Sequence, residues 1–185
     1  MGQKGTETRD RLLAATQELI ETGGYYGAGL NQVIATSGAP RGSLYFHFPG
    51  GKDQLVGESV RRAGQSIGVA LGDLADSGPS VTDLVNGVLR YLGDRLEESG
   101  WRKGCPVATV ALETAAVNDP LQEACSEVYT SWEAALREQL TDRADADDLA
   151  VTILALVEGA LLLARAHRSR EPLERVARQV GVLLS

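Results

Sequence analysis

Gly29-Leu30-Asn31-Gln32-Val33-Ile34-Ala35-Thr36-Ser37-Gly38-Ala39-Pro40-Arg41-Gly42-Ser43-Leu44-Tyr45-Phe46-His47-Phe48-Pro49-Gly50-Gly51-Lys52-Asp53-Gln54-Leu55 is the stretch that decides the fold. It reads as a short helix over 30–37, a tight turn at Gly38, and a second short helix opened by Pro40 and stopped by Pro49-Gly50-Gly51. Glycine enters the left-handed turn without steric cost, and proline at a helix start loses no hydrogen bond. Two short helices on a tight turn form a helix-turn-helix, which lays its second helix in the DNA major groove.

Working outward, nearly every segment carries helical periodicity. Leu12, Ala15 and Leu19 recur at i, i+3 and i+7 in a first helix over 7–22, with Thr6 or Thr8 as its cap and Gly23-Gly24 as its end. Beyond the central stretch a long helix covers 52–75 and breaks at Asp76-Ser77-Gly78-Pro79-Ser80. A fifth helix starts at Ser80 or Thr82 and ends near Glu98. An irregular junction spans 101–106. Further helices follow over 107–117, 118–140, 146–168 and 172–184. No stretch alternates with period two for long. The fold class is therefore all-α, with nine helices in two parts: a helix-turn-helix head over 1–51 and a helical body over 52–185.

Composition narrows the function. The chain has 185 residues and a net charge of −7, but the charge is uneven. Over residues 1–52, Lys4, Arg9, Arg11, Arg41 and Lys52 outnumber Glu7, Asp10, Glu18 and Glu21, so the acid lies on the rest of the chain. Binding to DNA depends on local basic groups at phosphates more than on net charge. Cys105 and Cys125 do not make a disulfide framework. With His47 and His167 they lack metal-ligand spacing, so no metal and no other cofactor is expected. A polar N-terminal segment, and an apolar run over 149–164 interrupted by Glu158 and shorter than the roughly 20 residues of a span, point to a cytoplasmic protein with no membrane partner. An enzyme using Cys105 as nucleophile would need a base, and neither histidine is near it in sequence.

Three N-terminal helices with the turn in this register, followed by long helices, resemble the TetR family of one-component repressors. Gly38 to Phe48 and Lys52 to Leu55 carry the likeness. Gly29-Leu30-Asn31-Gln32, Phe48-Pro49-Gly50-Gly51-Lys52, and Gly104-Cys105-Pro106-Val107-Ala108 with Glu113 are similar to its LmrA/YxaF-like branch. Gly50-Gly51 stands where many members have one residue, which shifts Lys52. The resemblance implies a homodimeric regulator, released from a pseudo-palindromic double-stranded operator by a small hydrophobic or planar aromatic effector.

In the head, Asn31 and Gln32 open the second helix and can meet a phosphate or a base edge. Arg41 starts the recognition helix with a fork suited to guanine or phosphate. Gly42 permits close approach to the backbone, and Ser43 can bond either target. The resemblance puts Tyr45 and His47 on phosphates or thymine methyls, and Lys52 on a phosphate. Tyr45 and Phe46 are adjacent and cannot share a face, so Phe46 is expected partly inside and Tyr45 outside. Leu30, Ile34, Leu44, Phe48 and Leu55 are expected to form core.

For the body, the resemblance implies an effector pocket, with Trp101, Cys105, Val107, Thr109, Val110, Glu113, Tyr129 and Trp132 as its residues. Glu113 would bond a ligand or pair with an arginine. Cys105, near Arg102 and Lys103, reads either as a redox sensor or as a small buried hydrophobe. The eighth helix is apolar around much of its circumference. Leu149, Ile153, Leu156, Val157, Ala160, Leu161 and Ala164, with Val176 and Val180 of the ninth, are expected to form a four-helix dimer interface. The alternatives are a redox-sensing regulator acting through Cys105, and a helical adaptor without sequence-specific DNA binding.

Overall fold

A computed structural model of the chain describes residues 3–76 and 80–185. Among the described residues there are nine helices and no strand: α1 (Gln3–Gly27), α2 (Leu30–Ser37), α3 (Arg41–His47), α4 (Gly51–Asp76), α5 (Val81–Glu98), α6 (Pro106–Thr114), α7 (Asp119–Glu138), α8 (Ala146–His167) and α9 (Glu171–Leu183). The fold is all-α.

Local chemistry sets most of the ends. Gly24 breaks α1 with φ 66° and ψ −165°, so the Gly23-Gly24 pair does end the long helix, and residues 25–27 add one more turn. Neither threonine caps α1, which already runs from Gln3. The break expected over 76–80 centres on 77–79, outside the described residues. Beyond it Ser80 caps α5, its Oγ accepting the Asp83 N–H at 3.2 Å. α6 stops at Thr114, short of the expected Val117: the Val117 and Asn118 N–H groups both donate to the Thr114 carbonyl, at 3.0 and 2.9 Å, and close the turn.

By packing the chain forms two compact units. One holds residues 1–64 and 106–128, the other 65–105 and 129–185. In the first, α1 packs on α2, α3 and α6. Its head core consists of Leu12, Leu13, Ala15, Val33, Ala39, Leu44, Phe48 and Leu55, with Leu19, Leu30 and Ile34 partly buried against them. Buried hydroxyls close on their own helices: Thr16 donates to the Leu12 carbonyl and Ser59 to that of Leu55, each at 2.8 Å. In the second unit α9 packs on both α5 and α8, and α5 also meets α8. Its buried residues include Leu84, Leu89, Leu96, Leu149, Ile153, Leu161 and Leu173. By length and composition alone α8 could cross a membrane. Here Leu149, Ala150, Ile153, Ala160, Leu161 and Ala164 bury one of its sides.

One expectation for the core is corrected. Phe46 is 75% exposed, more than Tyr45 at 61%. Leu44 and Phe48, one turn apart, take the inward face of α3 and are both fully buried. At 3.6 residues per turn, position 46 lies about 200° from each. Both neighbouring aromatics are thus left outside, and Phe46 has no place in the core.

This assignment separates two phenylalanines two positions apart. Phe48→Ala should destabilise the chain by about 3–5 kcal/mol in urea unfolding. Phe46→Ala should change stability by no more than about 0.5 kcal/mol.

Candidate DNA interface and body site

The reading head is built on a turn that glycine makes possible. Gly38 adopts φ 62° and ψ 17°, and its N–H donates to the Ile34 carbonyl to end α2. The Ala39 N–H then donates to the Ser37 Oγ at 3.2 Å. Pro40, with φ −59°, is the N-cap of α3. At only 7 residues α3 cannot hold its shape unaided. Leu44 and Phe48 anchor it, and their burial turns the other positions outward.

The sequence-selected residues lie on the side left open. Asn31, Gln32, Arg41, Gly42 and Tyr45 are exposed, and Ser43, His47 and Lys52 half-buried. Arg41 and Tyr45 sit one turn apart on one face of α3, and Gly42 and Phe46 on the next. Ser43 is not free, since its hydroxyl donates to the Pro40 carbonyl. Phe46 meets His47 edge to face, with ring centroids 5.0 Å apart. Sequence reading missed Phe46 as a surface aromatic: the signal that would have found it is the i, i+4 pair Leu44–Phe48.

Lys52 is held in a way the sequence did not suggest. Its Nζ lies 4.1 Å from the centroid of the Tyr25 ring. Burial lowers its pKa, although Asp53 and Glu113 nearby act in the opposite sense. The Tyr25 hydroxyl donates to Asp53 Oδ1 at 2.6 Å, and the Asn118 side-chain amide donates to Asp53 Oδ2 at 2.9 Å. Burial, and then the bond to Asp53, push the Tyr25 phenol up to about 12. Glu113 Oε2 accepts the Tyr26 N–H at 3.0 Å. Its carboxyl group also occupies the space beside Gly24, where a Cβ would stand 2.5 Å from Oε1.

The residues expected to bind ligand divide between the two units. Val107, Thr109, Val110 and Glu113 belong to the first. Val107 and Val110 are fully buried there, and the Thr109 hydroxyl donates to the Ile20 carbonyl at 2.8 Å. Thr109 and Glu113 therefore both hold the end of α1. Trp101, Cys105, Tyr129 and Trp132 belong to the second unit. Tyr129 and Trp132 meet edge to face, with centroids 5.8 Å apart. Cys105 is buried and hydrogen-bonded to Glu158, whose pKa burial raises. Glu158 was read only as a charge interrupting an apolar run, yet burial perturbs it. Cys125, in the first unit, lies 3.8 Å from the Val107 carbonyl, and burial pushes its thiol up to about 11. An open groove of about 570 Å³ lies between α5 and α9, lined among others by Asn86, Leu89, Arg90, Leu173 and Arg178. None of the expected ligand residues lines it.

The expected dimer residues divide by exposure. Leu149, Ile153, Ala160, Leu161, Ala164 and Val180 are at most 5% exposed. Leu156, Val157 and Val176 are half-buried. The large apolar residues that α8 and α9 leave in the open are Val151, Leu162, Leu163, Val182 and Leu183. On a helix apolar nearly all round, periodicity does not say which stripe faces inward.

Comparison with known proteins agrees with this geometry. Residues 12–58 match the family described as bacterial regulatory proteins, tetR family. Residues 82–179 match the C-terminal domain described as transcriptional regulator LmrA/YxaF-like. The chain is 34% identical to the HTH-type transcriptional regulator LmrA of Bacillus subtilis over 182 residues, covering 96% of this chain and 97% of that one. It is 30% identical to the uncharacterized HTH-type transcriptional regulator YxaF of the same organism, covering 96% and 95%. Among solved structures, a TetR transcriptional regulator from Chloroflexus aurantiacus superposes with a TM-score of 0.83 at 27% identity, covering 98% and 96%. The exposed face of α3, the turn at Gly38 and these full-length likenesses agree: the chain belongs to the TetR family of DNA-binding transcriptional regulators, with a C-terminal domain of the LmrA/YxaF-like kind, and is not an enzyme.

Proposed function

We propose that the chain is a ligand-responsive repressor that binds a pseudo-palindromic operator as a homodimer in the cytoplasm. Residues 1–51 act as reading head and 52–185 as effector and dimer body. The observation that carries this reading is the outward face of α3. Arg41 and Tyr45 are exposed one turn apart on a helix whose inward side is locked by Leu44 and Phe48. A guanidinium in that position suits a guanine edge or a phosphate, and an exposed tyrosine suits a phosphate or a thymine methyl. Phe46 adds an apolar surface beside them. Asn31 and Gln32, at the start of α2, suit backbone contacts that fix register. A relative at 26% identity over 191 residues, the HTH-type transcriptional repressor NemR of Escherichia coli, supports repression as the sign of control.

The dimer surface we propose is the outward stripe of α8, with the exposed end of α9. Val151, Ala155 and Leu162 recur at i, i+4 and i+11 and so share a face, which is exposed. Small residues such as Ala155 let two helices approach closely. Two such subunits place their α3 helices in successive major grooves, about 34–36 Å apart.

For the effector, the edge-to-face pair of Tyr129 and Trp132 supports an aromatic-lined site in the body and hence a planar or hydrophobic ligand. The redox reading has less support. Cys105 is only 6% exposed, and its neighbour is a carboxyl group. A reactive thiolate needs access and a nearby positive charge.

Two measurements test the reading. In fluorescence anisotropy on the upstream DNA of its own and neighbouring genes, Arg41→Ala should lose about 1–3 kcal/mol of specific affinity if Arg41 reads a base. It should bind scrambled DNA nearly as the parent does. Leu162→Glu should turn the dimer into a monomer in analytical ultracentrifugation and abolish cooperative operator binding. A fully dimeric Leu162→Glu protein would place the interface elsewhere.

A further inference from the structure

Asp53 stands in the first turn of α4, only a few residues after the recognition helix ends at His47. Its two oxygens are bonded to different parts of the first unit. Oδ1 accepts the Tyr25 hydroxyl at 2.6 Å, from the turn that follows the long run of α1. Oδ2 accepts the Asn118 side-chain amide at 2.9 Å, from the α6–α7 junction. Asn118 has a second bond of its own: its Oδ1 accepts the Leu121 N–H at 3.1 Å and caps α7. A single carboxylate therefore joins the base of the reading head to the segment that begins α7. Around it, Glu113 of α6 holds the Tyr26 N–H at 3.0 Å, and Lys52 lies over the Tyr25 ring at 4.1 Å.

We infer that the Asp53–Asn118 hydrogen bond is the joint that couples the α6–α7 segment to the reading head, with Asp53 the positioning residue that holds α3 and α4 where they can engage an operator. This inference rests on the regulatory reading above. Core packing fixes α3 against α1 and α2, but it is nondirectional and tolerates small rotations. A bidentate carboxylate between a phenol and an amide is directional and has one geometry. A displacement of the α6–α7 segment must either carry Asp53 with it or break this bond. Both outcomes change the seat of the residues that follow α3, which is what a regulator must do to lose its operator.

The side-chain chemistry supplies a decisive exchange. Asn118→Asp keeps the α7 cap, because aspartate is as good a cap as asparagine. It removes only the amide donor and sets two carboxylates against each other. Asp53→Asn in the same chain restores a donor on the opposite side. Residue 53 then offers its carbonyl to Tyr25 and its amide to residue 118, so every bond can re-form, the one between 53 and 118 with its polarity reversed.

The experiment measures operator affinity by fluorescence anisotropy for the parent, Asn118→Asp, and the double exchange, with hydrogen exchange of residues 41–60 recorded without DNA. Asn118→Asp should weaken operator binding about tenfold and speed exchange over that segment, and the double exchange should recover most of both. Binding to scrambled DNA should stay unchanged in all three. The inference is overturned if Asn118→Asp binds the operator like the parent. It is also overturned if the double exchange folds but stays as weak as Asn118→Asp. If the parent itself prefers no upstream fragment over scrambled DNA, the regulatory reading fails, and the exchange rates alone decide the joint: rates in Asn118→Asp that match the parent's would overturn it.

Discussion

The orientation of α3 depends on two side chains. Leu44 and Phe48 are fully buried; Leu44 lies on a helix of only 7 residues and Phe48 is its C-cap. A helix that short has no independent stability in water, because nucleation fixes several residues for very few hydrogen bonds. Its shape and direction come from the core it enters. The same burial leaves Arg41, Tyr45 and Phe46 outside. The exposed surface of α3 is thus the complement of the core-facing one, and both follow from a single pair one turn apart.

Around this anchor the first unit adds directional polar contacts. Asp53 and Glu113 both grip the residues just after the break at Gly24. Thr109 holds the carbonyl of Ile20, within the last turns before that break. Gly24 is required for two reasons: its φ of 66° disfavours a side chain, and the Glu113 carboxyl fills the place of a Cβ. Charged groups beside a half-buried phenol lose solvation, and they are retained where they bond in pairs. Here each bond runs between elements distant in sequence, so the cluster fixes relative position rather than local shape.

Much of the fold was legible. The order of helices, the break at Gly24, the turn at Gly38, the cap at Ser80 and the start of α7 after Asn118 all depend on glycine, proline, serine or asparagine acting on their own neighbourhood. The exposed positions of α2 and α3 were legible for the same reason, with Phe46 the exception. Its hydrophobicity suggested burial, but its angular position on α3 forbade it. The stripes of α8 were not legible. Leu149 and Val151 are both apolar, yet one is buried and the other 52% exposed. Nothing in a uniformly apolar helix ranks its faces.

The sequence by itself determined where helices begin and end and which short helix can read DNA, because caps, turns and apolar spacing act over a few residues. Tertiary structure decided the duties of the long-range polar groups. Asp53 and Asn118, 65 positions apart, meet in one hydrogen bond. Lys52 lies on an aromatic ring. Glu113 receives a backbone N–H 87 positions away. Hydrogen bonds of this kind have strict geometry but no sequence period, so they become visible only when packing has brought the elements together.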